Sequence, residues 1–177
     1  MSSANLISKV YFPRLTIPLS GVLSGLVDFA VSFGVLIVLM AIYRIAPTWR
    51  VLLLPAFLGL AMLTALGFSL WLSALNVQYR DVNYLVPFLV QIWMYLTPVI
   101  YGATLLPARF RWILALNPMS LVTEGFRWAL LGPATPASQI TTSSPALLVL
   151  PLVIAVVVAA TGLVFFKRTE RTFADII

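Results

Sequence analysis

Residues 76–101 read NVQYRDVNYLVPFLVQIWMYLTPVIY, a short polar segment that opens directly into an aromatic-rich apolar run. Between Leu85 and Tyr101 there is no charge, yet Pro87, Gln91, Thr97 and Pro98 interrupt what would otherwise be a plain lipid-facing helix. In hydrocarbon, a glutamine amide or a carbonyl whose helical donor has been removed by proline finds no water to pair with. The stretch is therefore expected to face protein or a water-filled path, and conduit residues are sought first at Gln91, Trp93 and Tyr95. Trp93 and Tyr95 lie deep in the run, where an indole N–H or a phenol hydroxyl needs a partner. Tyr84 and Tyr101 stand at its ends and fit an interfacial aromatic belt.

Outward from this stretch the chain reads as membrane on both sides. Its residues are 62% apolar and 9% charged, against about 45–50% and about 25% in globular proteins, so the expected class is an all-α polytopic membrane protein. Four spans are read, at about 19–43, 51–75, 85–101 and 146–166, with short re-entrant or interfacial half-helices within about 108–131, all in one membrane domain covering 1–177. At about 1.5 Å rise per residue, the long runs Leu19–Tyr43 and Val51–Leu75 are sufficient to cross a hydrocarbon core of ~30 Å. Ahead of them, Lys9, Pro13, Arg14 and Pro18 break every apolar run, which excludes a signal peptide and leaves a short amphipathic piece at the surface.

Several polar and small residues inside the apolar runs carry expectations of their own. Asp28 is the one charge in the first span and is expected near an interface, paired with a base from the loop side such as Arg14, because a carboxylate deep in lipid is costly. Gly21 and Gly25 form a small-xxx-small pair that would allow a close helix contact. Glu124 and Arg127 are three apart, hence on one face of a half-helix and able to pair. That pair reads either as mutual neutralisation at the interface or as a polar collar at the mouth of a conduit. Asn117-Pro118 marks a turn with a helix start after it, and Gly132-Pro133 a stop.

Charge and composition exclude whole classes of function. The net charge of +6 would suit a nucleic-acid binder, but bases flanking spans follow from topology and anionic headgroups alone. The absence of cysteine and histidine removes thiol catalysis, disulfides and the commonest metal ligand. No Gly-rich phosphate loop ending in Gly-Lys-Ser/Thr and no Gly-x-Ser-x-Gly elbow occurs. No catalytic residue, metal, cofactor or ATP hydrolysis within this chain is expected. With both termini on one face, Lys9, Arg14, Arg80, Lys167, Arg168 and Arg171 lie opposite Arg44, Arg50, Arg109, Arg111 and Arg127, which barely decides orientation. The compact cluster after the last span favours cytoplasmic termini.

The stretches LISKVYFPRLTIPLS, NVQYRDV, FLVQIWMYLTPVIY, LNPMSLVTEGFRWALLG and FKRTERTFADII, in this order and spacing, resemble the membrane subunit of bacterial ABC exporters of polysaccharides, the O-antigen, capsule and teichoic acid permeases. The likeness covers essentially the whole chain. It implies that Tyr11, Phe12, Pro13 and Arg14, together with Tyr79, Arg80 and Asp81, are cytoplasmic coupling elements that touch a separate ATP-binding cassette ATPase. It implies a periplasmic gate in the half-helices after Tyr101, a second permease chain, a lipid-linked glycan substrate and the bacterial inner membrane. Members of that family carry an N-terminal amphipathic helix and two further spans ahead of the YFPR element, so this chain is expected to lack those two spans. Without the likeness, Arg80 and Asp81 would read as an ordinary solvated pair. A permease for drugs or small lipophilic molecules, and a non-transporting membrane scaffold, are the alternative readings.

Overall fold

The computed structural model describes residues 16–79, 81–102, 105, 107, 111–132 and 145–172, with the backbone alone at 17, 111, 145–147 and 170–172. Every regular element among them is helical, and the chain is an all-α polytopic membrane protein. Helix α1 spans Thr16–Ile42, a 3-10 turn at Trp49–Leu53 leads into α2 at Leu54–Gln78, and α3 follows at Val82–Leu96. The short α4 (Arg111–Ala115) and α5 (Pro118–Leu131) precede the long α6 (Pro145–Thr172). Three stretches are long and apolar enough to cross a membrane: Pro18–Ile42, Trp49–Gln78 and Leu148–Thr169.

The packed centre is formed by α2, α5 and α6. Lipid tails are as apolar as leucine side chains, so helix association in a bilayer depends on close packing and on interhelical hydrogen bonds. Both occur where α2 meets α6. A Cβ on Gly162 would stand 2.6 Å from the Gly67 carbonyl oxygen, and one on Gly67 would stand 2.8 Å from the Ala159 nitrogen. Two backbones therefore touch where any larger residue would push them apart. One turn on, Trp71 stacks on Phe165 with ring centres 4.6 Å apart, and its indole N–H donates to Thr161 Oγ1 at 3.2 Å.

Helix α5 packs into this centre. Leu121 and Val122 pack with Leu60 and Ala155, while Ala129 and Leu130 pack with Met40 and Leu54. Gly125 is required there because its missing Cβ is the space taken by the Phe57 ring. Asn117 begins the helix by accepting a hydrogen bond from the Met119 amide at 3.0 Å, and Pro118 occupies the first turn, where its absent N–H costs nothing.

Helix α1 joins the rest through aromatic contacts, Phe29 lying edge-on to Phe126 at 5.7 Å and stacked on Phe33 at 5.5 Å. Among the described residues the Gly21–Gly25 pair makes no close helix contact, since a Cβ at either position would meet nothing within 4 Å. Asp28 is exposed on α1 among the described residues. Arg14, its expected partner, lies outside the described residues.

Helix α3 stops at Leu96 and does not reach Tyr101 as the apolar run suggested. Thr97 turns extended at ψ 132° because the residue before a proline avoids the helical region, and Pro98 has no amide to continue the ladder. Its 15 residues give about 22 Å of helix, short of a ~30 Å core.

Candidate functional site: the two faces of α3 and the latch at its end

Helix α2 runs into α3 across the connection 79–81. Tyr79 ends α2 in extended conformation, φ −132° and ψ 104°, while its amide still donates to the Leu75 carbonyl at 2.8 Å. Its own carbonyl accepts from the Val82 amide at 3.1 Å, and the Asp81 carbonyl accepts from the Tyr84 amide at 3.0 Å. The backbone of the connection is thus tied at both ends to helices. The Tyr79 and Asp81 side chains are exposed, and the Asp81 carboxylate makes no capping bond. A force applied to this segment has little slack chain in which to dissipate.

The conduit residues expected on α3 fall on opposite faces. Trp93 turns inward and meets the Phe68 ring of α2 edge-on, with centres 4.8 Å apart. Gln91 and Tyr95 turn outward with Tyr84 and Phe88, at the i, i+4, i+7, i+11 spacing that aligns residues on one helix face. Tyr84 is 84% exposed, Phe88 61% and Tyr95 57%, so no described element of this chain covers the stripe. Among the described residues of one copy of the chain, nothing covers Gln91. Beneath the inward face, α1, α2 and α3 enclose an open cleft of about 430 Å³ whose lining includes Ser69, Ser73, Asn76 and Asn83.

Past Leu96, a chain of polar contacts fastens the end of α3 to the turn between α4 and α5. Thr97 Oγ1 donates to the Trp93 carbonyl at 2.9 Å and accepts from Asn117 Nδ2 at 2.8 Å. One Asn117 side chain thereby caps α5 and holds the break after α3. From α5, Arg127 reaches back and donates to the Val99 carbonyl at 2.7 Å and the Tyr101 carbonyl at 3.1 Å. These are carbonyls that the proline break removes from helical bonding, and a guanidinium fork suits two of them at once. Tyr101 closes the turn by donating its hydroxyl to the Tyr95 carbonyl at 3.0 Å.

Arg127 is held from behind by Glu124, whose carboxylate lies 3.1 Å away and is fully buried, while the arginine side chain is 24% exposed. The pairing expected from their spacing forms, and it does more than neutralise charge, because it aims the guanidinium at the α3 terminus. Arg50 sits nearby over the Trp128 ring, 5.0 Å from its centre. The latch reaches the stripe through Tyr101, which accepts from Arg127 and donates to the Tyr95 carbonyl. Of the other expected site residues, Tyr11, Phe12, Pro13, Arg14 and Arg80 lie outside the described residues. Sequence reading treated Thr97 and Asn117 as a helix interruption and a turn; their mutual bond joins positions 20 apart and no local pattern encodes it.

Apolar helices, three of them long enough to cross a membrane, with a tied connection before α3 and a bonded cap after it, define a multi-pass membrane domain. Residues 3–131 match the family described as ABC-2 type transporter, and the chain belongs to that family. It is 35% identical over 123 residues to the O-antigen export system permease protein RfbA of Myxococcus xanthus, covering 68% of this chain and 47% of that protein. Two Klebsiella pneumoniae proteins of the same name are 30% identical, covering 72% of this chain and 49% of the relative, and 26% identical, covering 100% and 66%. The chain therefore spans about half to two-thirds of the length of these relatives.

Proposed function

We propose that the chain forms part of the transmembrane subunit of an ATP-driven exporter that carries a lipid-linked polysaccharide across a bacterial cytoplasmic membrane. In this reading ATP is hydrolysed by a separate cassette subunit that docks on Tyr79, Arg80 and Asp81, and on Tyr11, Phe12, Pro13 and Arg14. The tied connection between α2 and α3 supports this role, because a push on it shifts two helices together. The basic residues Lys167 and Arg168 at the end of α6 support cytoplasmic termini.

The observation that carries the reading is the exposed stripe Tyr84, Phe88, Gln91 and Tyr95 on α3. An amide in a lipid-facing position is costly, whereas facing a second permease chain across a hydrated path it has partners. Flat aromatic rings next to an amide that both donates and accepts suit a sugar, which offers an apolar ring face and a rim of hydroxyls. Glu124 and Arg127 then act as a latch that keeps the outer end of α3 in register with α5.

The cysteine-free sequence allows a direct test. Gln91→Cys and Tyr95→Cys, placed in the exporter with its ATPase, are expected to react with a membrane-impermeant maleimide, while Val153→Cys on α6 stays unreactive. Failure of both α3 positions to react would remove the conduit. In cells, deleting the gene is expected to abolish surface polysaccharide and accumulate lipid-linked polymer inside. Unchanged surface glycan with lowered tolerance to lipophilic drugs would move the substrate to small molecules.

A further inference from the structure

In the last turn of the apolar stretch Leu148–Thr169, α6 presents Lys167 and Arg168, both exposed. Beside them, α2 and α6 leave an open cleft of about 290 Å³, lined by Trp71, Ala160, Thr161, Val164, Phe165 and Arg168. The stacked Trp71 and Phe165 rings form part of its wall. Thr161 adds no free polarity, since its hydroxyl accepts from the Trp71 indole and donates to the Val157 carbonyl at 2.6 Å. Ala160, Val164 and Arg168 follow at i, i+4 and i+8, so the slot runs along one face of α6 for about 12 Å at ~1.5 Å per residue. Arg168 stands at the end of the span, at headgroup depth, and from there the slot covers most of a leaflet, half of a ~30 Å core. Among the described side chains no carboxylate pairs with Arg168.

We propose that this cleft binds one anionic phospholipid, with its phosphate on the Arg168 guanidinium and an acyl chain lying over Ala160, Val164 and the Trp71–Phe165 wall. The chemistry selects that ligand. A guanidinium fork matches phosphate oxygens, and an apolar slot opening from the same arginine into the hydrocarbon takes a chain that a soluble anion lacks. The site lies on the α2–α6 pair and is independent of the polysaccharide reading. A bound lipid there would clamp the outer edge of the Gly67–Gly162 crossing.

Trp71 reports on the slot directly. A chain retaining only Trp71, with Trp49, Trp93, Trp112 and Trp128 changed to Phe, is reconstituted in phosphatidylcholine vesicles and titrated with brominated lipid. Dibrominated phosphatidylglycerol is expected to quench Trp71 at a mole fraction several-fold lower than dibrominated phosphatidylcholine. Arg168→Gln should bring the two lipids to parity, Lys167→Gln should leave the preference in place, and Ala160→Phe should fill the slot and reduce quenching by both. Equal quenching by the two lipids in the parent protein overturns the proposal, as does a preference that survives Arg168→Gln or disappears equally in Lys167→Gln. Should the single-tryptophan chain fail to fold, native mass spectrometry of the unmodified protein replaces it. The number of phosphatidylglycerol molecules retained should fall by one in Arg168→Gln, and no change overturns the site.

Discussion

Helices α2 and α3 are almost equally apolar, yet one is locked in the centre of the protein and the other is held by one ring contact and its end. Along α2, Leu54, Leu60, Thr64, Gly67, Leu70 and Ala74 are buried, whereas α3 buries nothing between Val82 and Leu96. The difference lies in small and polar residues. Gly67 meets Gly162 backbone to backbone, while α3 offers Trp93 to Phe68 and then the bonds of Thr97 and Arg127. In lipid, apolarity brings a helix into the membrane but does not choose its neighbour, so close fit and hydrogen bonds decide. A helix fastened at few points, with an aromatic and amide stripe on its free side, is suited to facing a partner or a path and to moving.

Four sets of substitutions test that contrast. The largest effect is expected at the latch. Arg127→Ala removes the cation of the buried Glu124 and leaves two carbonyls without a donor, which should cost about 3–5 kcal/mol of stability in detergent. Arg127→Lys should recover only part, because an ammonium cannot fork onto both carbonyls. If thermal unfolding of Arg127→Ala matches that of the parent chain, the end of α3 is not held this way.

Next comes the crossing itself. Gly162→Leu forces two backbones apart and should cost about 1–3 kcal/mol or more, the range for overpacking. Gly21→Leu, where a Cβ meets nothing within 4 Å, should stay within about 0.5 kcal/mol in the isolated chain. Equal losses at the two glycines would erase the distinction between a packed and an open face.

A smaller effect is expected at the inner side of α3. Trp93→Ala removes an edge-to-face pair worth about 0.5–1.5 kcal/mol beyond its buried area. Amide exchange should quicken along α3 while α2 and α6 keep their protection; uniform quickening would mean that α3 is part of the core. The smallest stability change belongs to the outer stripe. Phe88→Ser with Tyr95→Ser should shift stability by under about 0.5 kcal/mol per site and yet lower polysaccharide export several-fold. Intact export would show that the stripe touches lipid alone.

Much of this was legible in the chain. The long spans, the turn at Asn117-Pro118 and the Glu124–Arg127 spacing follow from local pattern, because apolar length, proline and i, i+3 geometry act over a few residues. The third span, by contrast, reads through to Tyr101, whereas its helix ends at Leu96. Less legible was the packing of α5, which reads in sequence as a re-entrant or interfacial half-helix, because its neighbours Leu60, Ala155, Met40 and Leu54 and the Phe57 ring over Gly125 come from distant parts of the chain.

The sequence by itself determined that the chain is a helical membrane protein, where its longest helices run and which positions interrupt them, since the bilayer enforces internally bonded helices of fixed minimum length. Only the tertiary structure decided which face each helix turns inward. Gly67 finds Gly162, Thr97 finds Asn117 and Arg127 finds the carbonyls of Val99 and Tyr101. These choices rest on contacts between residues distant in the chain, and in a solvent as apolar as the helices themselves no hydrophobic pattern announces them.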